Sequence, residues 1–132
     1  MPKKTEAYIA LGTNLGNRKR NLLLAYNALK TNPTIKILKV SPAYVTSPLG
    51  PKQGKFLNAG VKIETELSAQ SLLRELKSIE KNIGRKKTVR WGPRIIDLDI
   101  IFYGRRKIHT RNLTIPHPSF HERRFVLEPL KD

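Results

Sequence analysis

Several residue types that indicate particular protein classes are missing from this chain or scarce in it. It has no cysteine, one methionine and one tryptophan among 132 residues. The absence of cysteine excludes disulfides, thiolate metal sites and cysteine nucleophiles, and it suits a reducing cell interior. No apolar run approaches the roughly 20 residues of a membrane-spanning helix, and MPKKTEAYIALG lacks the longer apolar run of a secretory signal. We therefore expect a cytoplasmic protein that does not associate with membranes.

Acidic residues are scarce compared with basic ones. The chain has 26 Lys and Arg against 10 Asp and Glu, which gives a formal net charge of +16. Such a charge creates a positive field that attracts polyanions, including nucleotide phosphates and nucleic acid. Charge alone does not choose between a phosphate-handling enzyme and a nucleic-acid binder. The length suits one domain over 1–132 with a core of its own.

Hydrophobic patterning in the first half predicts a strand, a helix and then two strands. The apolar strand over 6–11 runs into a turn rich in Gly and Asn, and Asn17 caps an amphipathic helix over 18–31. The alternating segment over 35–46 is interrupted by Pro42, which predicts an edge strand or a bulge. After the loop SPLGPKQGK, alternation resumes over 56–67, so we expect a hairpin with a long tip.

The second half predicts one more helix and one more strand. Ser68 and Gly84 are placed to start and stop a helix whose apolar residues lie on one face. A basic loop over 85–94 precedes a strong strand over 95–103, a turn with a short return and a short helical segment over 119–124. The order β-α-β-β-α-β matches the split βαβ plan, an α+β fold with a four-stranded antiparallel sheet and two helices on one face.

The strand IIDLDIIFY carries the sharpest chemical signal. Side chains alternate along a strand, so Asp97 and Asp99 face one side while Leu98 and Ile100 face the other. Two adjacent carboxylates in an apolar strand repel each other and lose hydration, which predicts a compensating cation. Magnesium fits, because it takes one or two carboxylates and completes its shell with water and substrate phosphates. The alternative is an ion network of the two aspartates with Arg94 and Arg90.

The basic loop and a few isolated side chains complement the acid pair. Guanidinium groups in the loop could fork onto phosphate oxygens, although such a loop can also be merely solvated. LGTNLG lacks the ending of a P-loop and is interpreted as a plain strand-to-helix turn. His117 and His121 are four residues apart but have no third ligand nearby, so zinc is not expected. Asn58 lies in an apolar strand and suits a heterocyclic amide edge or a backbone partner equally.

RWGPRIIDLDIIFYG and LTIPHPSFHERRFVLEPL resemble the 6-hydroxymethyl-7,8-dihydropterin pyrophosphokinases of the folate pathway. The resemblance extends over nearly the whole chain, through LGTNLGNR, SPLGPKQGKFLNAGVKIETEL and IEKNIGRKKTVRWGPR. It implies a ferredoxin-like sandwich with βαββαβ order and mobile loops at the active site. It also implies transfer of the β,γ-pyrophosphoryl unit of ATP to the pterin's hydroxymethyl oxygen, with release of AMP. We expect a monomer whose partners are ATP and the pterin, with no specific nucleic acid.

The resemblance also implies roles for particular residues. Asp97 and Asp99 would hold two magnesium ions, and Arg85 and Arg94 would complete the catalytic set by contacting the phosphates. The implied ATP-binding residues are Glu80, Lys87, Trp91, Ile100, Thr114, His117 and Arg123, with Trp91 closing over the site. The implied pterin-binding residues are Thr46, Leu49, Phe56, Asn58 and Phe125, with Phe56 and Phe125 sandwiching the ring. Lys87 stands where the family commonly has a second arginine, and a lysine cannot reproduce the bidentate guanidinium fork.

Two other functions remain open from the sequence. An RNA-binding module could share a four-stranded α+β sheet and a positive charge, but the chain lacks the aromatic K/R-G-F/Y-G/A-F-V pattern of RNA-recognition sheets. A relative that binds nucleotide without catalysis would keep the phosphate-binding residues. Release of AMP in the presence of the pterin separates these alternatives from a pyrophosphokinase.

Overall fold

The computed structural model describes residues 3–46, 54–84 and 95–118, which form seven strands and two helices. The predicted hairpin tip, the basic loop and the short helical segment over 119–124 lie outside the described residues. The elements are β1 (Thr5–Thr13), α1 (Arg18–Thr31), β2 (Ile35–Val40), β3 (Tyr44–Thr46), β4 (Phe56–Thr65), α2 (Ala69–Ile83), β5 (Asp97–Tyr103), β6 (Ile108–His109) and β7 (Thr114–Ile115).

An antiparallel sheet with the order β2-β4-β1-β5 forms the framework. β1 pairs with one edge of β4 along its whole length, and β2 and β3 share the other edge. The segment over 35–46 is therefore two strands, and the predicted interruption at Pro42 is confirmed. Proline has no N–H to donate to a strand ladder, so pairing stops there. β6 and β7 form a separate two-stranded ladder.

Both helices pack against the same face of this sheet. Ile9 of β1, Leu29 of α1 and Leu76 of α2 are each 0% exposed and belong to one core cluster. The neighbouring positions of β1 and β5 point the other way, where Ala10 and Ile101 are buried in a smaller cluster. In the described stretches, helices cover one face of the sheet; the other, the open face, can present side chains to a ligand above the sheet.

The helix ends follow the predicted capping residues. The side chain of Asn17 accepts a hydrogen bond from the N–H of Arg20, and the side chain of Ser68 accepts one from Ser71. Gly84 ends α2 with φ of 108°, a left-handed conformation that glycine adopts without steric cost. In the three described stretches, no helix is long and apolar enough to cross a membrane.

Candidate active site

The open face of the sheet carries the polar side chains that the sequence singled out. On β5, Asp97 stands opposite Gly12 of β1, and Asp99 stands opposite Ala10. Gly12 also stands opposite Asn58 on its other side, in β4. Directly opposed residues of paired strands project to the same face, so the carboxylates and the amide share it. Asp97 and Asn58 flank Gly12, with their Cα atoms about 10 Å apart across two strand spacings.

The two carboxylates lie on the edge strand of the sheet, beside an imidazole. Leu98, between them, is 1% exposed and belongs to the helix-side core, so the predicted alternation of Asp97 and Asp99 is present. The Asp99 side chain is 22% exposed, and its Oδ1 lies 3.9 Å from Nε2 of His117. The backbone N–H of His117 donates to the carbonyl of Ile101 at 3.1 Å, which holds the imidazole beside β5. The acid pair is therefore accessible to a cation.

The amide on the other side of Gly12 has a defined orientation. Asn58 is 7% exposed, and its Nδ2 donates to Oγ1 of Thr46 at 2.6 Å and to the carbonyl of Tyr44 at 3.5 Å. These two bonds use both amide hydrogens, which leaves Oδ1 as the acceptor available to a donor on a bound ring. Phe56, two residues earlier in β4, projects to the same face. Three of the implied pterin residues are thus adjacent.

Gly12 is a site residue that the sequence analysis missed. A Cβ added to it would lie 3.2 Å from Oδ1 of Asn58 and 3.5 Å from Cδ1 of Phe56. The absence of a side chain therefore keeps open the space between the amide and the carboxylates. The signal was present in LGTNLG, but a glycine in a turn motif does not reveal which strands lie beside it.

We expect the substitution Gly12→Ala to weaken pterin binding selectively. The added methyl group would lie closer to Oδ1 of Asn58 than an ordinary contact, so the amide must shift by a few tenths of an ångström, and a small misplacement of a binding group costs affinity. The pterin KM should rise by about 10-fold, while the KM for ATP changes by less than about twofold. Steady-state assays with each substrate varied in turn measure both values. An unchanged pterin KM would mean that the heterocycle does not lie over Gly12.

The turn after β1 also holds the chain that enters β4. Nδ2 of Asn14 donates to the carbonyl of Gly54 at 3.1 Å, and Nη1 of Arg18 donates to the carbonyl of Lys55 at 2.9 Å. These bonds tie the start of β4 to the start of α1. The turn predicted from LGTNLG therefore helps to position the backbone that precedes Phe56.

Three of the implied nucleotide-binding residues lie away from the open face or at its margin. Glu80 and Ile100 are each 2% exposed, and Ile100 belongs to the helix-side core cluster. Thr114 is half-buried in β7, paired with His109. The His117 side chain therefore lies beside the carboxylates. The side chains of Glu80 and Ile100 do not lie on the side of the sheet that carries the carboxylates.

Seven further residues were assigned to the site from the sequence. They lie outside the described residues and comprise Leu49, Arg85, Lys87, Trp91, Arg94, Arg123 and Phe125. Within residues 3–46, 54–84 and 95–118, no three His, Cys, Asp or Glu side chains gather as a metal site. A cation held by Asp97 and Asp99 would take its other ligands from water and phosphate, as magnesium commonly does.

Sequence comparison assigns this chain to a family. A family model described as 7,8-dihydro-6-hydroxymethylpterin-pyrophosphokinase (HPPK) matches residues 8–132. This chain belongs to the HPPK family. A 2-amino-4-hydroxy-6-hydroxymethyldihydropteridine pyrophosphokinase of Bacillus subtilis (strain 168) is 45% identical to it over 127 residues, which cover 96% of this chain and 76% of that protein. A Haemophilus influenzae pyrophosphokinase of the same name is 46% identical over 94% of this chain and 78% of its own length.

Other HPPK relatives are parts of longer proteins. The folic acid synthesis protein fol1 of Pneumocystis carinii is 49% identical over 95% of this chain but only 17% of its own length. A crystal structure of Plasmodium falciparum HPPK-DHPS A437G with pteroate superposes with a TM-score of 0.74 at 16% identity, covering 97% of this chain and 38% of that one. The predicted family is confirmed by these matches, and the structural likeness supports the α+β fold.

Proposed function

We propose that this chain transfers the β,γ-pyrophosphoryl unit of ATP to 6-hydroxymethyl-7,8-dihydropterin, a step of folate biosynthesis. The observation that carries the proposal is the arrangement of Asp97, Asp99 and Asn58 on one sheet face, at the same end of the sheet and on either side of Gly12. An acid pair that can hold magnesium for the triphosphate and an amide for a heterocycle are the two recognition elements that this reaction needs. The family match over 8–132 supports the same reaction.

The acid pair fits magnesium by its donor chemistry. The carboxylate oxygens lie on one face and are partly exposed, and the residue opposite Asp97 is a glycine. Such oxygens suit a hard cation that keeps water and phosphate ligands. We assign two magnesium ions to Asp97 and Asp99. When bound, the ions supply positive charge that neutralises the triphosphate and activates the pterin hydroxyl. His117, 3.9 Å from Asp99, would hydrogen-bond a phosphate oxygen or a water at the rim of the pair.

The pterin slot lies on the other side of Gly12. Oδ1 of Asn58 would accept a hydrogen bond from a ring N–H, and Thr46 would keep the amide in that orientation through its 2.6 Å bond. Phe56 would cover one face of the ring, with Phe125 on the other and Leu49 beside it. The recognition residues thus hold the heterocycle by stacking and by one directed polar contact.

Transfer then needs alignment and charge neutralisation rather than a protein nucleophile. The pterin's hydroxymethyl oxygen loses its proton to solvent and bonds to the β-phosphorus, the bond from that phosphorus to the oxygen it shares with the α-phosphate breaks, and AMP leaves with that oxygen. Arg85 and Arg94 would stabilise charge on the transferred phosphates. The remaining ATP contacts are assigned to Lys87, Trp91, Thr114 and Arg123, together with the main chain of Ile100.

The architecture supports a finer fold assignment. If β2 and β3 count as one interrupted strand, the sheet order β2-β4-β1-β5 is that of a ferredoxin-like sandwich with βαββαβ connectivity. We propose this fold for a single domain over 1–132. We also propose that the protein acts as a monomer in the cytoplasm.

Titration calorimetry provides the decisive test. With magnesium and a nonhydrolysable ATP analogue present, 6-hydroxymethyl-7,8-dihydropterin should bind with at least about 10-fold higher affinity than without them, because the two ligands share one site. An RNA-binding module would not bind the pterin, and a noncatalytic relative would bind both ligands but release no AMP from ATP. Absence of pterin binding under all conditions would contradict the proposed function.

A further inference from the structure

The carboxylate of Glu80 lies directly behind the two aspartates. Glu80 belongs to the last turns of α2 and is 2% exposed. Its Oε2 accepts a hydrogen bond from the backbone N–H of Leu98 at 2.7 Å, and its Oε1 lies 3.3 Å from Nζ of Lys77. Leu98 is the residue between Asp97 and Asp99, so this bond fixes the backbone at the centre of the acid pair.

The bond is made at the outer edge of β5. β5 is the last strand in the sheet order, with β1 on its inner side. A backbone N–H in a strand points to one edge only, and because that of Leu98 donates to Glu80 it points away from β1. The carboxylate therefore takes the place that a neighbouring strand would occupy at this residue.

A buried carboxylate is an unfavourable choice for a purely structural role at this position. Burial removes its hydration, and an apolar side chain of similar volume is often equally or more stabilising. In return, a hydrogen bond to an ionised acceptor is shorter and stronger than one between neutral groups. The strong bond to Leu98 therefore holds the backbone rigid at this residue. The direction of that backbone determines how the side chains of Asp97 and Asp99 project.

We infer that Glu80 is a positioning residue for the carboxylate pair. By holding the Leu98 N–H, it sets the direction in which Asp97 and Asp99 leave the strand and so the spacing of their oxygens. This role rests on the proposed function of these aspartates as magnesium ligands. It replaces the direct nucleotide contact that the family resemblance implied for Glu80. Groups that orient metal ligands from behind typically change metal affinity by about 10- to 100-fold when removed.

Three substitutions separate the hydrogen bond from the charge. Glu80→Met keeps the approximate volume and removes the acceptor, Glu80→Asp keeps the charge but is one methylene too short, and Glu80→Gln keeps a carbonyl acceptor at the same length. Calorimetry measures binding of a nonhydrolysable ATP analogue at varied magnesium. The Met and Asp variants should need at least about 10-fold more magnesium for half-maximal binding of the analogue. The Gln variant keeps the acceptor but not its charge, so its magnesium requirement should rise less than that of the Met and Asp variants, by about threefold. If the Met variant does not fold by circular dichroism, the Asp variant decides.

Amide hydrogen exchange measured by NMR gives a readout without metal or nucleotide. In the Met and Asp variants, protection of the Leu98 amide should fall while that of Ile63 in the core stays as in the wild type. The Gln variant should retain more of the Leu98 protection than the Met and Asp variants, because it keeps an acceptor of the same length. Glu75→Ala is a matched control, because Glu75 is a carboxylate on the same helix that accepts from Nδ2 of Asn32 at 3.0 Å. It should change neither the Leu98 exchange nor the magnesium requirement.

The possible outcomes distinguish this inference from the proposed function. Wild-type magnesium requirement in Glu80→Met and Glu80→Asp, or an equal loss in Glu80→Gln, would overturn the positioning role. The variant Asp97→Asn, measured in the same titrations, tests the metal assignment independently. If it leaves the magnesium requirement unchanged, the metal assignment is wrong; if it alone raises that requirement, only the role of Glu80 is wrong.

Discussion

Asp97→Asn and Asp99→Asn should each lower AMP release from ATP and 6-hydroxymethyl-7,8-dihydropterin by at least about 10³-fold. Each substitution removes one of two carboxylates that share a sheet face, and an amide is a poor substitute for a charged magnesium ligand. A metal ion contributes several kcal/mol of charge stabilisation to a transition state, which corresponds to this loss in rate. The measurement is a steady-state assay of AMP at saturating magnesium, ATP and pterin.

The fold should survive either substitution. Both side chains are partly exposed, and the change to Asn removes one charge from a pair of like charges. The thermal midpoint without magnesium should therefore stay within about 3 °C of the wild type. Glu64→Gln is a matched control. Glu64 lies on β4, on the same face of the sheet as the two aspartates but at the far end, opposite Glu6. Its activity should stay within about twofold, and wild-type turnover in both Asp variants would refute the metal assignment.

Asn58→Ala should raise the pterin KM by about 10- to 100-fold and change the KM for ATP by less than about threefold. The substitution removes the Oδ1 acceptor on one side of Gly12 and leaves the carboxylates untouched. A ring donor that loses this buried acceptor forfeits a hydrogen bond, at a cost of about 1–3 kcal/mol. Varying one substrate at a time, with the other at saturation, gives both constants.

The structural contribution of Asn58 can be separated from its role in recognition. Its amide also bonds to Thr46, so the variant should be less stable by about 1 kcal/mol and needs to be assayed well below its thermal midpoint. Asn27→Ala makes the same chemical change at an exposed position of α1 and should leave both constants unchanged. If Asn58→Ala raises both KM values equally, the site is distorted generally and the assignment of Asn58 to the pterin is wrong.

The helices and most strand positions could be predicted because their signals are local. Asn17, Ser68 and Gly84 act within one helical turn, so a short stretch of sequence contains both the cap and the groups it satisfies. Pro42 stops strand pairing by its own chemistry, whichever strand lies beside it. The strand ends were less accurate, since β5 begins at Asp97 rather than at residue 95.

The site could be predicted only in part, because several contacts among its residues join positions far apart in the chain. The sequence suggested that Asn58 needs a partner, but Thr46 is 12 residues away and becomes that partner only through the pairing of β3 with β4. Gly12 gave no sign of its neighbours. Glu80 is 18 residues from Leu98, and its bond to that residue depends on how α2 packs against β5.

The amino-acid order by itself determined the family, the succession of strands and helices and the shared direction of the two aspartates. The strands, the helices and the direction of the aspartates depend on residues close together in the chain. A strand alternates its side chains whatever surrounds it. Only the tertiary structure decided that Gly12 separates the amide from the acid pair, that Ile100 lies in the core and that Glu80 holds Leu98. These relations depend on strand register and on helix packing, which are set by the burial of the whole core rather than by any local pattern.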